Sequence, residues 1–325
     1  MVIKRLGRKP ESEGHEGVSD MFVNRLPWHR GGVIPAVTYG YTTGGYNSGV
    51  SAVNVIDRFS MSSDGNAADV GDLANTITSM AGQSSSTHGY IAGGESLTNV
   101  IEKFLFASSA SASDIADLLA QNQLCAGHQS ATYGYVSGGN NTTVAFDVIQ
   151  KFTFASDANS TDVGDLTAVK GFVCGNSSST YGYTSGGYNK AFTVHYNVIE
   201  KFTFASDNNA TDVGDLLAGI DSMAGQNSAT YGYVSGGSVA GEVDVIQKFS
   251  FSSDGNSSDV GDLTDARYTS AGQSSLVSGY TSGGNIGGAA VPTNIIDKFP
   301  FASDSNATDV GDLTVARRKC AGQQG

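Results

Sequence analysis

The sequence predicts an all-β protein: a six-bladed β-propeller of four-stranded antiparallel blades, preceded by an extended N-terminal arm. Three observations carry this prediction. One unit recurs about every 48 residues, each unit contains four short strand-like segments, and the chain ends in an extra copy of the first segment. A period of roughly 40–50 residues built from a few short strands is typical of propeller blades.

A pair of adjacent glycines marks the period. The pairs begin at Gly44, Gly93, Gly138, Gly186, Gly236 and Gly283. Their successive spacings are 49, 45, 48, 50 and 47 residues, so the unit keeps nearly constant length. Each pair ends a segment of the kind Tyr-Gly-Tyr-Val-Ser-Gly-Gly, in which glycine permits the tight turn after a strand.

The four segments of a unit are clearest between residues 224 and 263. Residues 224–230 are small, 231–237 end in the glycine pair, 245–251 are β-branched and aromatic, and 259–263 are short. In the third segment, apolar residues fall on both strand parities, as a strand that is buried on both faces requires. A helical interpretation fails because glycines interrupt every segment.

The last residues of the chain predict how the ring closes. The Ala-Gly-Gln segment, or a variant of it, precedes five glycine-pair strands, and a sixth copy at residues 321–323 stands near the C-terminus. The strand at 39–45 has no such copy immediately before it. We therefore expect the C-terminal strand to complete the first blade, leaving few open sheet edges. The predicted domains are an arm at 1–36 and a propeller at 37–325.

Residues 37–325 resemble the kelch-like propellers. Tyr-x-Gly-Gly, the Phe of Lys-Phe in the third segment, and Arg267 and Arg317 before the first segment match features of that group. The Trp usual in the fourth strand is missing from every repeat, and the Arg stands in only two. The resemblance implies that the first strand of each blade lines the axis and that the C-terminal strand closes blade 1.

The repeated sequence Ile-Gln-Lys-Phe-Thr-Phe-Ala-Ser-Asp is similar to repeats in structural proteins of marine tailed bacteriophages. This resemblance implies a non-enzymatic component of the virion: a tail, fibre or capsid-surface subunit, present in multiple copies in a symmetric assembly. Residues 1–36 would anchor it to other virion proteins, with the propeller exposed for assembly or host contact.

The arm carries the expected partner-binding residues. Phe22, Leu26, Trp28 and Arg30 are apolar, aromatic or Arg side chains, the types enriched at binding anchors. In an alternative that the sequence leaves open, Phe22 and Trp28 fold back over one end of the propeller.

A second function remains open: a carbohydrate-binding, lectin-like propeller of a bacterial surface. Its candidate glycan contacts are Tyr46, Asn47, Tyr188 and Asn189, which follow two of the glycine pairs. Aromatic and amide groups suit sugars, so a host-surface glycan is a further candidate partner.

Charge and hydropathy argue against nucleic acid and membrane insertion. Residues 36–325 carry 12 Lys and Arg against 27 Asp and Glu, a formal charge of −15. Such a body repels nucleic acid and anionic membranes. No apolar run approaches the roughly 20 residues that span a bilayer, and the first ten residues lack the apolar region of an export signal.

Catalytic and cofactor signals are weak. The five histidines fall at unrelated repeat positions, so we expect no catalytic residue and no cofactor. The repeated turn at residues 157–165 places acidic and amide oxygens at alternate positions, which suits Ca²⁺. The same residues form Asx-turns without an ion, and we favour that interpretation.

A basic residue precedes the Phe of every third segment. These residues are Arg58, Lys103, Lys151, Lys201, Lys248 and Lys298. They form either a ring for an anion or sugar acid, or pairs with repeat acids such as Asp72 and Asp165. We favour the pairs.

Overall fold

The computed structural model describes residues 38–49, 51–95, 99–189, 193–287 and 291–325. These residues form an all-β structure, and none of them lies in a helix. No helix suited by length and apolar character to crossing a membrane occurs in this part of the chain. The predicted arm lies outside the described residues, and with it Phe22, Leu26, Trp28 and Arg30.

The strands fall into six units, which we number as blades in chain order. The first unit contains β1 (Tyr39–Thr43), β2 (Tyr46–Asn47), β3 (Val55–Ser60) and β4 (Ala68–Asp72). Blade 2 contains β5 (Ala81–Ser84), β6 (His88–Ala92), β7 (Val100–Leu105) and β8 (Ser113–Asp117). Blade 3 contains β9 (Ala126–Gln129), β10 (Tyr133–Ser137), β11 (Val148–Thr153) and β12 (Thr161–Asp165).

The second half of the chain repeats this order. Blade 4 contains β13 (Cys174–Ser177), β14 (Tyr181–Ser185), β15 (Val198–Thr203) and β16 (Thr211–Asp215). Blade 5 contains β17 (Ala224–Asn227), β18 (Tyr231–Ser235), β19 (Val245–Ser250) and β20 (Ser258–Asp262). Blade 6 contains β21 (Arg267–Tyr268), β22 (Ala271–Ser274), β23 (Ser278–Ser282), β24 (Asn285–Ile286), β25 (Val291–Pro292), β26 (Ile295–Pro300) and β27 (Thr308–Asp312). The chain ends with β28 (Arg317–Arg318) and β29 (Ala321–Gln324).

The C-terminal strand completes the first blade, as the sequence predicts. The six main sheets have four strands each, and the sheet of blade 1 has the order β29-β1-β3-β4. Strand β29 pairs antiparallel with β1, with Ala321 opposite Thr43 and Gln324 opposite Gly40. The first and last strands of the propeller are thereby hydrogen-bonded into one blade, and the ring is closed.

Glycine lets the six innermost strands approach one another around the axis. A Cβ at Gly322 would clash with the carbonyl oxygen of Gly272 in the neighbouring blade, and a Cβ at Gly82 with that of Gly322. The same clash recurs at the equivalent glycine of every blade. The small residues of the first segment therefore follow from the crowding at the axis.

A second ring of contacts lies where the chain enters each innermost strand. One non-glycine residue per blade has a positive φ of 55–61° there: Ser79, Leu124, Phe172, Ser222, Thr269 and Lys319. Each donates its backbone N–H to the carbonyl oxygen of the equivalent residue in the preceding blade, at 2.7–3.0 Å. The six bonds form a closed circle, which holds these residues in a conformation that L side chains disfavour.

The Tyr-Gly-Tyr motif packs neighbouring blades together. In blades 1 to 5 the Tyr after this Gly stacks on a Phe of the next blade, as Tyr135 does on Phe204 at 4.8 Å. The Gly lies against the Phe of its own blade, since a Cβ at Gly134 would clash with the Phe152 ring. The apolar core consequently lies between the blades.

Candidate binding face

The strand order gives the propeller two different faces. We call the face with the turns between third and fourth strands, such as 154–160, the repeat face. The opposite face has the loops after the glycine pairs and the connections between blades, such as 188–197 and 166–173. We call this the variable face, because those loops differ between blades in length and sequence.

On the repeat face, the repeated cations pair between blades. Lys103 Nζ lies 2.6 Å from Asp157 of the next blade, and the last pair, Lys298 with Asp64, bridges blades 6 and 1 at 2.8 Å. Three further pairs join Lys151 to Asp207, Lys201 to Asp254 and Lys248 to Asp304. Pairing between blades is thus confirmed, but Asp72 and Asp165 were the wrong partners, because the turn that precedes them is what reaches the neighbouring blade.

The other polar residues of the turn also hold the ring. Asn159 Oδ1 accepts the backbone N–H of Asp117 in the preceding blade at 3.0 Å. Asp162 Oδ1 accepts the N–H of Gly164 at 3.1 Å, which is an Asx-turn. No three His, Cys, Asp or Glu side chains converge as metal ligands in the described ranges. Calcium at these turns stays a prediction that nothing here tests.

Buried ion pairs lie inside three blades. Arg317 pairs with Asp57 at 3.0 Å and Arg267 pairs with Asp297, all four side chains being inaccessible to solvent. In blade 4, Lys170 lies 3.4 Å from Glu200. Burial lowers the pKa of Lys170, and the Glu200 carboxylate opposes that shift. Sequence reasoning missed Lys170, although it aligns with Arg267 and Arg317.

The residues proposed as glycan contacts do not form one site. Tyr46 lies in blade 1, where Arg318 Cζ is 5.4 Å from the centre of the Tyr46 ring, whereas Tyr188 lies in blade 4. Asn47 Oδ1 accepts the N–H of Ser51, and Asn189 Oδ1 accepts N–H groups of the loop that it begins. Both Asn side chains therefore shape their own loops. Their part in sugar binding stays a prediction.

Tyr188 packs on a polar cluster that the sequence did not indicate. Its ring stacks on His195 with centroids 4.1 Å apart, and His195 Nδ1 lies 3.0 Å from Asp221 Oδ2. Ser222 donates its hydroxyl to Asp221 Oδ1 at 2.6 Å. Burial raises the pKa of Asp221, while Ser222 and His195 act to lower it. Since His195 and Asp221 belong to neighbouring blades, the packing of those blades brings them together.

The variable face also has a cavity of about 360 Å³ between blades 2 and 3. Five side-chain amides line it: Gln121, Asn122, Gln123, Asn140 and Asn141. Glu95 and Thr142 complete its polar wall. Sequence reasoning missed this group, although the run of amides at 121–123 and 140–141 is visible in the sequence.

The chain matches no protein-family model and no curated protein. Among solved structures it is similar to one titled "Structure of YjhT", with a TM-score of 0.64 and 12% sequence identity. The match covers 75% of this chain and 86% of that chain. At this identity the likeness speaks to the fold alone, and with the blades described above it confirms a six-bladed, kelch-like β-propeller.

Proposed function

We propose that this protein is a non-enzymatic structural and interaction protein of a bacteriophage virion, anchored through residues 1–36, whose variable face is exposed for assembly or host contact. One observation carries the interaction role. The repeated polar residues are used to hold the blades together, whereas the residues that differ between blades collect on one face.

The polar side chains of the repeated turns are occupied in contacts between blades. At five of the six seams, the contacts between neighbouring blades, an Asp of the turn forms a salt bridge with a Lys of the preceding blade. At the same five seams, an Asn of the turn accepts a hydrogen bond from a backbone N–H of that blade. The loops between the glycine pair and the third strand differ instead from blade to blade, with lengths of 5 to 10 residues. A rigid frame that presents variable loops is a common arrangement for recognition.

The virion assignment has a different support. It rests on the likeness of the repeat to repeats of phage structural proteins, and on the contrast between residues 1–36 and the acidic repeats. The two parts of the proposal therefore need separate tests.

The anchoring role is tested by deleting residues 1–36 and measuring the amount of protein in purified particles by quantitative mass spectrometry. We expect a folded propeller, as checked by circular dichroism, that is lost from particles. A full-length chain with Val144→Trp on the variable face is the matched control and should be incorporated normally. Unchanged incorporation of the deletion variant would refute the anchor, and absence of the full-length chain from virions would refute the location.

A carbohydrate-binding propeller of a bacterial surface is the second candidate function. The amide-lined cavity favours it, because Asn and Gln side chains both donate to and accept from hydroxyl groups. Screening of the full-length protein on an array of bacterial polysaccharides tests this function. We expect retention on at least one neutral polysaccharide, and uniform absence of binding would contradict it.

A further inference from the structure

A layer of buried polar side chains surrounds the axis of the propeller. It is formed by the residue that follows the axial glycine in each innermost strand: Gln83, His128, Asn176, Gln226, Gln273 and Gln323. All six side chains are 0–1% exposed. Five of them are amides, which do not take up a proton in the pH range of folded proteins. Blade 3 alone therefore places a titratable group in this layer.

The imidazole of His128 links blades 3 and 4. Nδ1 lies 3.1 Å from the backbone carbonyl oxygen of Asn176, and Nε2 lies 2.8 Å from Ser137 Oγ and 3.3 Å from Thr184 Oγ1. The ring also meets Phe202 of blade 4 edge-on, with ring centroids 5.1 Å apart. Since a carbonyl oxygen only accepts, Nδ1 carries the proton, and Nε2 of the neutral ring accepts from a hydroxyl.

The described residues around this ring offer no anion to a charged His128. The titratable and charged side chains on the elements packed there are Tyr135, Lys151, Lys170, Cys174 and Glu200. Burial raises the pKa of Tyr135 and of Cys174 to about 12, so both are neutral in acid. Glu200 lies 3.4 Å from Lys170. Lys151 lies 2.6 Å from Asp207 on the repeat face. These charges are thus paired with one another and not with His128.

Protonation of His128 therefore acts against the closed ring. Burial lowers the pKa of His128 to about 4, while the bond to Asn176 opposes the shift. A solvated histidine has a pKa of about 6.5. Because the closed form binds the proton less tightly, its stability falls as the pH drops from about 6.5 through 4. At pH 4 the equilibrium between closed and opened forms shifts by about a hundredfold toward the opened form.

We propose that His128 makes the seam between blades 3 and 4 the acid-sensitive opening point of the ring, where these two blades separate so that water can solvate the imidazolium. At the other five seams this layer holds a neutral amide, so it does not respond to acid there. The inference concerns the frame of the propeller and does not depend on either candidate function.

Hydrogen–deuterium exchange of the full-length protein, measured by mass spectrometry at pH 4 and pH 7, provides the test. The variant is His128→Gln. Gln226, at the equivalent position of blade 5, donates to a Ser and a Thr that correspond to those around His128, so this layer accommodates Gln. At pH 4 we expect peptides of β9, β10 and β14 to exchange at least about tenfold faster in wild type than in the variant. At pH 7 the two proteins should match.

Two further variants control for other effects of acid. His88→Tyr removes a histidine of blade 2 and introduces the residue that blades 1, 3, 4 and 5 have at this position. It should leave the acid response of wild type unchanged. Gln226→His places the titratable ring between blades 5 and 6, and it should create a second acid-sensitive seam there. This variant decides the question even if His128→Gln does not fold.

Three results would overturn the inference. Equal exchange of wild type and His128→Gln at pH 4 would show that the proton on His128 opens nothing. Faster exchange spread evenly over all six blades of wild type would show that acid unfolds the whole ring and not one seam. Gln226→His without faster exchange in blades 5 and 6 at pH 4 would show that a histidine in this layer is not sufficient to open a seam.

Discussion

One buried position of the third strand shows how single residues adapt to their blade. It is occupied by Asp57, Glu102, Gln150, Glu200, Gln247 and Asp297, all of them buried. In blades 1, 4 and 6 the acid has a buried cation, and in blades 3 and 5 the residue is a neutral Gln. Glu102 is the exception, because Ile77 stands where the cation would be. Its carboxylate accepts the N–H groups of Ala74 and Asn75 and the side-chain amide of Asn75, with no cation beside it among the described residues.

Replacing Glu102 with Gln should change how stability depends on pH. Burial raises the pKa of Glu102, while hydrogen bonds from Asn75 and Ala74 oppose the shift. The folded state then holds the proton more tightly than the unfolded state, so this group's contribution to stability falls as the pH rises from about 4.5 through the raised pKa. We therefore expect Glu102→Gln to become more stable relative to wild type as the pH rises from 4 to 7. The measurement is the free energy of unfolding of both proteins, from urea titrations at each pH.

Glu200→Gln is the matched control at the same repeat position. It leaves the buried Lys170 without its partner, so it should destabilise the protein at pH 7 by about 3–5 kcal/mol. A pH-independent difference between Glu102→Gln and wild type would show that Glu102 has the same pKa in the folded and unfolded states.

At the scale of the elements, the turn of blade 2 departs from the other five. Ser109 and Ser111 stand where the other turns have Asp and Asn. Arg58 of blade 1 consequently forms no salt bridge within the described part of the chain, and its guanidinium lies over the Tyr39 ring at 4.7 Å. The seam between blades 1 and 2 therefore lacks two contacts that the other seams share.

Restoring these contacts should strengthen the seam. Ser109→Asp supplies the acid, worth about 0–1 kcal/mol for a partly exposed pair. Ser111→Asn supplies an acceptor for the N–H of Asp72, worth about 1 kcal/mol. Thermal unfolding of the double variant should show a higher midpoint than wild type. In an Arg58→Ala background, Ser109→Asp alone should not raise the midpoint, and a rise there would contradict the proposed pair with Arg58.

The elements and the closure by the C-terminal strand could be predicted from the sequence, whereas the side-chain partners between blades could not. The period and the glycine pairs located the four strands of each unit, and the extra copy at 321–323 located the closure, because strand patterns are local. The partner of Lys103 lies 54 residues away, so the choice between Asp157 and Asp165 depends on how neighbouring blades pack. The pair of His195 with Asp221 and the cavity beside Asn122 likewise depend on the packing of two consecutive blades.

At the scale of the whole molecule, the C-terminal strand β29 connects blade 1 with both neighbouring blades. Strand β29 supplies Gly322 to the axial circle of glycines, and Gln323 Nε2 reaches Thr43 Oγ1 and the carbonyl oxygen of Tyr90. Lys319, just before it, closes the circle of backbone hydrogen bonds with Ser79 and Thr269. One short strand thus joins blade 1 to its neighbours on both sides.

Deleting residues 321–325 should therefore destabilise the whole propeller rather than one blade. Each lost hydrogen bond removes about 1 kcal/mol, the total stability of a domain is only about 5–15 kcal/mol, and the exposed edge of β1 promotes aggregation. We expect a lower urea midpoint and larger species in size-exclusion chromatography. Deleting only residues 324–325, which keeps Gly322 and Gln323, should have a clearly smaller effect. If the longer deletion kept the wild-type midpoint, the stability of the ring would come from packing at the seams and not from the strand that joins its two ends.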